Sequence, residues 1–233
     1  MDRSVARIWL VRALMTLFTF HSSLLTIKAQ DEPEYKLELG AGAGTVTYLG
    51  DLNGNLFRGS QPWLAALARY KMNPRMAFTL SVGYGKIKGN SDNADTWYPM
   101  ERYEFNSEAL EVGLRYEYNF WPYGTGREYR GARRLAPFIT IGLGALYHGD
   151  PGKGITADIP LGAGVKYKLG QRLNLSVEWR MHLALNDKLD GLKDPYGIKS
   201  SGLFKNTDCL SIIQVSLTYD LWEKCSTCHN DRD

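Results

Sequence analysis

Leu173-Asn-Leu-Ser-Val-Glu-Trp-Arg-Met-His-Leu-Ala-Leu185 places an apolar side chain at every odd position and Asn174, Ser176, Glu178, Arg180, His182 and Ala184 between them. On a helix this apolar set would be spread around the whole circumference, whereas on a strand it forms one face. The segment therefore reads as a strand. The same period of two recurs in residues 35–49, 63–72, 75–86, 108–120, 137–148, 158–169 and 209–222, which predicts eight strands. Most run to 10–15 residues, longer than the globular norm of about 5–6 and enough to cross a bilayer at a tilt.

The connections alternate in length. Asn73-Pro74 and Gly170-Gln171-Arg172 are tight, while residues 50–62, 87–106, 149–157 and 186–208 are long and polar. Short turns on one rim and long loops on the other are the pattern of transmembrane β-barrels, with both termini on the short-turn side. Trp121–Ala136 breaks the pattern, being a long basic connection on the short-turn rim. Aromatic placement separates a membrane barrel from a soluble sandwich of similar strands. Tyr70, Tyr116, Tyr118, Tyr167 and Tyr219 fall on the apolar face at one end of their strands, and Tyr84 and Tyr147 mark the other end. Two such rows suit the two interfaces of a bilayer. The expected fold is all-β, an eight-stranded antiparallel transmembrane β-barrel with a polar lumen filled by side chains.

Arg3, Arg7 and Arg12 precede the apolar stretch 13–20, and Ala29 meets the polar run Gln30-Asp31-Glu32. Basic, apolar and cleavable segments in that order read as a signal peptide over residues 1–29, leaving a barrel over 30–221 and a tail over 222–233. Removing the first 29 residues takes four of the 28 basic residues and one of the 25 acidic ones, so 24 of each remain. A neutral chain has no electrostatic footprint for nucleic acid. Its expected surroundings are outer-membrane lipids, with both termini in the periplasm.

With the apolar face toward lipid, the other face points inward, and eight strands leave an interior that side chains can fill. Arg69, Glu111, Arg115, Glu117, Glu178 and Arg180 supply both signs there and read as a plug of salt bridges, with glycines 40, 42, 44, 162 and 164 making room. An ion path is the functional alternative to a plug. No Gly-x-Ser-x-Gly elbow, His-Glu-x-x-His helix, Walker loop or dinucleotide fingerprint occurs, so neither an enzyme nor a metal or cofactor site is expected. Cys225-Ser-Thr-Cys-His229 fits the pattern of covalent haem attachment, but no following domain could enclose a haem. A Cys225–Cys228 disulfide and a bridge from one of the two to a partner both stay open. Cys209 belongs at the opposite rim, a membrane thickness away, out of reach of either.

Several motifs, in order and spacing, resemble a family of outer-membrane barrels of Bacteroidota. They are Tyr48-Leu-Gly-Asp-Leu-Asn53, Arg69-Tyr70 with Asn73-Pro-Arg75, Gly83-Tyr-Gly-Lys-Ile-Lys-Gly89, and Glu117-Tyr-Asn-Phe120. Ala136-Pro-Phe138 leading into Gly142-Leu-Gly144, Ile159-Pro-Leu-Gly-Ala-Gly-Val-Lys-Tyr-Lys-Leu169, Asn174 and Glu178-Trp-Arg180 follow. The chain is thus similar to the PorG-like barrels of the type IX secretion system over most of its mature length. After residue 185 it departs, carrying Asn186-Asp-Lys-Leu-Asp-Gly191 where relatives tend to have Thr-Asp-Tyr-Leu-Asp-Asp. The resemblance implies a structural role beside a periplasmic ring of a lipoprotein and its partner protein. Contact with that ring is expected from Tyr123, Arg127, Tyr129, Arg130, Arg133 and Arg134 on the long connection and from Cys225 and Cys228 in the tail, since interfaces favour aromatic and arginine side chains. The alternative role is a stand-alone adhesin or surface-binding protein acting through loops 87–106 and 186–208.

Overall fold

The computed structural model describes residues 33–50, 52–93, 102–126, 131–150, 153–185 and 208–223. The predicted signal peptide over residues 1–29 and the predicted tail beyond Glu223 lie outside them. Eight strands form, β1 (Tyr35–Leu49), β2 (Gln61–Asn73), β3 (Met76–Asn90), β4 (Glu104–Asn119), β5 (Leu135–His148), β6 (Gly154–Lys168), β7 (Leu173–Ala184) and β8 (Cys209–Glu223). Each pairs antiparallel with its neighbours in sequence, and β1 returns to β8, so the sheet closes in the order β1 to β8. The closing ladder runs from Tyr35 opposite Glu223 to Leu49 opposite Cys209. Closure leaves no sheet edge, which is the condition for a β-structure to stand in hydrocarbon. No helix among the described residues is long and apolar enough to cross a membrane.

All eight predicted strands are present, several longer than the sequence pattern suggests. β3 continues to Asn90 and β4 begins at Glu104, so only residues 91–103 remain of the expected loop 87–106. The reason is that alternation persists above the apolar belt, with Ile87, Gly89, Phe105 and Ser107 all turned inward. The outward face carries rows of apolar side chains such as Leu110, Val112 and Leu114 on β4, and Ile139, Ile141 and Leu143 on β5. Tyr70, Phe78, Tyr167 and Tyr219 border these rows toward the short-turn rim and Tyr84 toward the long-loop rim.

The lumen differs from expectation in one respect. Its half toward the short-turn rim is polar, but its half toward the long loops is an apolar core of Val46, Tyr48, Leu52, Trp63, Ile87, Phe105, Leu146, Leu210 and Ile212. Trp63 accounts for much of it. Its ring lies against β3 where a Cβ at Gly83 or Gly85 would overlap it, so the strand must be bare there.

Leu114 sits mid-row on β4, opposite Leu143. Leu114→Arg is expected to cost about 2–4 kcal/mol, the range for a cation on the lipid face near the midplane. Equilibrium denaturation of the refolded barrel in lipid vesicles measures this, and Leu114→Ile is expected to change little.

Candidate functional site

Side chains fill the barrel in layers. Nearest the short-turn rim, Asp220 on β8 accepts from Lys71 on β2 and Lys168 on β6. One step deeper, Arg69 bridges the Glu38 carboxylate on β1 and, at 2.8 Å, that of Glu117 on β4. Lys166 donates to the second oxygen of Glu117, Thr218 donates to Glu38, and Lys71 stands 3.0 Å from Glu38. The next layer holds Arg115, which donates to Ser81 at 2.8 Å and lies 3.8 Å from Glu111 and 3.9 Å from Glu178. Arg180 donates to Gln214 at 2.9 Å and contacts Glu178 at 3.4 Å. His182 meets Asp158 at 2.6 Å at the border with the apolar half.

All six residues predicted to charge the lumen therefore lie inside it, buried. Six further buried charges belong to the same interior: Glu38, Lys71, Asp158, Lys166, Lys168 and Asp220. Their signal was the same alternation, since each occupies the inward phase of its strand. Pairing is what permits this burial, because an isolated charge in so dry a place is far costlier than one matched and hydrogen-bonded.

Both mouths are shut. At the short-turn rim the β4–β5 connection folds inward, with the Tyr123 amide donating to the Pro74 carbonyl at 2.9 Å and the Arg133 amide to the Pro122 carbonyl at 2.7 Å. The Tyr123 ring covers the mouth, 4.9 Å from the Lys166 ammonium and 5.7 Å from those of Lys71 and Lys168, a cation–π seat. Its hydroxyl donates to Asn174 at 2.7 Å, and burial holds the phenol above the ordinary tyrosine range. Tyr123 was expected to face a partner; the structure turns it inward instead, because three ammonium groups offer its ring face more than water does. Thr125 ties the same connection to the start of β1 through the Glu34 carboxylate at 2.7 Å.

Arg133 and Arg134 stay exposed on this rim, Arg133 stacked 5.0 Å over Trp121. The predicted contacts Arg127, Tyr129, Arg130, Cys225 and Cys228 lie outside the described residues. No disulfide occurs among the described residues, where Cys209 is half-buried at the far end of β8.

At the opposite mouth the Tyr48-to-Asn53 motif acts as a stopper. The Asn53 side-chain Nδ2 donates to the carbonyls of Tyr48 at 2.9 Å, Asn55 at 3.1 Å and Arg58 at 2.8 Å. That folds Leu52 down into the apolar core. Tyr48 packs edge-on against Phe105 with centroids 5.1 Å apart and donates to Asp208 at 2.6 Å. Of the described histidines, His148 pairs with Thr156 and His182 with Asp158. Among the described residues no group of three or more His, Cys, Asp or Glu could hold a metal ion.

Residues 11–230 match a family described as a domain of unknown function, DUF6089. The chain belongs to that family. No curated protein matches the sequence. Neisserial surface protein A shares the fold at 14% identity and a TM-score of 0.52, with 79% of this chain and 97% of that one covered. The outer membrane protein OprG from Pseudomonas aeruginosa aligns at 12% identity and a TM-score of 0.48, covering 84% of this chain and all of that one. The DUF6089 chain is thus a small eight-stranded barrel of the outer-membrane type.

Glu117 holds two cations, so Glu117→Gln is expected to destabilise by about 3–5 kcal/mol, the cost of orphaning buried charge. Adding Lys166→Met should recover part of that loss. Equilibrium unfolding of both variants gives the coupling between the two sites. A barrel stoppered at both ends is also expected to show no steady single-channel conductance in planar bilayers, and Tyr123→Ala alone should not open one, because the apolar half still closes the lumen.

Proposed function

We propose that the protein is a non-enzymatic structural component of the type IX secretion machinery. It stands in the outer membrane and anchors a periplasmic ring lipoprotein, with its partner protein, to that membrane. Residues 1–29 export the chain, and the short-turn rim with both termini faces the periplasm.

One observation carries the reading. The connection that departs from barrel economy, between β4 and β5, is held in place by its own hydrogen bonds and by Glu34, and it offers Arg133 and Arg134 outward. A transmembrane barrel can turn between strands with a few residues, so a long connection whose described residues are tied down, on the rim where β1 begins and β8 ends, is a platform. A filled lumen supports the same conclusion, because it leaves the rims as the places where the protein can act. The sequence likeness to PorG-like barrels supplies the partner.

Arg133→Glu with Arg134→Glu tests this in intact cells. Neither side chain enters the barrel, so insertion and heat-modifiable gel mobility should be unchanged. Co-purification of the ring lipoprotein is expected to fall by about tenfold or more, as reversal of rim charges slows association, and secretion should fall with it. Unchanged co-purification and secretion, with surface attachment lost on replacing loop 186–208, would favour the adhesin reading.

A further inference from the structure

The outward row of β3 changes character partway along. Phe78, Leu80, Val82 and Tyr84 lie in the apolar belt, and the next two outward positions are Lys86 and Lys88, both exposed. The β1–β2 loop stands beside them, with Gly59 against the Lys88 carbonyl. Just before Gly59, Leu56, Phe57 and Arg58 are exposed, Phe57 to 70%.

This tip is held rigidly. The Phe57 amide donates to the Asn55 side chain at 3.0 Å, Ser60 donates to the Phe57 carbonyl at 2.9 Å, and Asn53 grips the Arg58 carbonyl. Gly59 supplies the positive φ of 75° that turns the chain back toward β2, a conformation other residues rarely accept. On the neighbouring strand Glu108 lies opposite Lys86 but is engaged by the Tyr84 hydroxyl.

We propose that Arg58, Lys86 and Lys88 bind the phosphate-bearing headgroup of a membrane lipid in the leaflet at the long-loop rim, with Leu56 and Phe57 against its acyl chains. Two features select this occupant. The site continues the lipid-facing belt directly, so its ligand must already stand in the bilayer. Its charge sits one headgroup above Tyr84, where cations meet lipid phosphates. Placing this leaflet on the cell exterior rests on the orientation given above, and the ligand there is then a phosphorylated glycolipid. The lysines of the lumen, all paired with carboxylates, offer no comparable site.

The test uses the full-length barrel in phosphatidylcholine nanodiscs doped with bis-phosphorylated lipid A. Lipid retained after affinity capture is measured by mass spectrometry. The variant Arg58→Ala, Lys86→Ala, Lys88→Ala is expected to retain about tenfold less than the unaltered chain or lower still. Lys88→Ala alone should lose part of the binding, and Arg133→Ala with Arg134→Ala none. Dephosphorylated lipid A should be retained only at the level of the bulk lipid.

Equal retention by the triple variant overturns the proposal, provided its gel mobility shows a folded barrel; if it does not fold, undiminished retention by Lys88→Ala does so. Loss that follows Arg133 and Arg134 instead, or equal retention of dephosphorylated lipid A, also overturns it. Because the assay contains no secretion component, its result is independent of whether the ring lipoprotein binds.

Discussion

Charge has to cancel inside a cylinder that water cannot fill. Among the described residues six cations (Arg69, Lys71, Arg115, Lys166, Lys168 and Arg180) and six carboxylates (Glu38, Glu111, Glu117, Asp158, Glu178 and Asp220) lie inside, Asp158 held by His182 rather than by a cation, with a further acid, Asp208, bound to Tyr48 at the far mouth. Several of the ion pairs skip a strand, β2 to β4, β4 to β6 and β6 to β8, while Arg69 with Glu38 links the neighbours β2 and β1. The network is therefore a set of spokes as well as a filling. It is complete only when the sheet has closed, because Lys71 on β2 reaches Asp220 on β8 across β1.

Room for the spokes comes from bare backbone. A Cβ at Gly142 would overlap Arg115, and one at Gly162 would overlap Arg180. Glycine weakens a strand interior and is found there when something must approach closely. The inward glycines and the long inward side chains are thus two halves of one arrangement, bulk on one strand set against absence on its neighbour. Trp63 against Gly83 and Gly85 repeats it in apolar form in the other half of the lumen.

Most of this was legible in the chain, for a definite reason. A lipid-facing strand must be apolar at every second residue, so the Leu173–Leu185 pattern reports the environment directly, and strand number, closure and the inward placement of Glu117 or Arg180 follow. What escaped depended on where a backbone excursion sends its side chains. Tyr123 sits in a basic connection whose composition suits an exposed contact, and only the lysines beneath the mouth, brought together from β2 and β6, draw it inward. The apolar half of the lumen was hidden similarly. Ile87 and Phe105 lie in the segment 87–106 that reads as a loop, and their inward phase becomes visible only once β3 and β4 are seen to rise above the belt.

The two stoppers are unlike in a way that bears on what the barrel is for. At the long-loop mouth the closure is apolar and local: Leu52 is brought down by Asn53, one residue along. At the other mouth it is a single aromatic ring on a connection tied to β1 by Glu34, to the turn at Pro74 and to Asn174 on β7. A local plug needs only its own loop, whereas Tyr123 makes the geometry of the platform depend on the charge network beneath it. The rim that presents Arg133 and Arg134 is thereby fixed in register to the barrel wall, so a load on that rim is carried into eight hydrogen-bonded strands rather than into a freely pivoting loop. A protein anchored there would be held by the whole cylinder, which is a physical use for a membrane barrel whose lumen is filled by side chains.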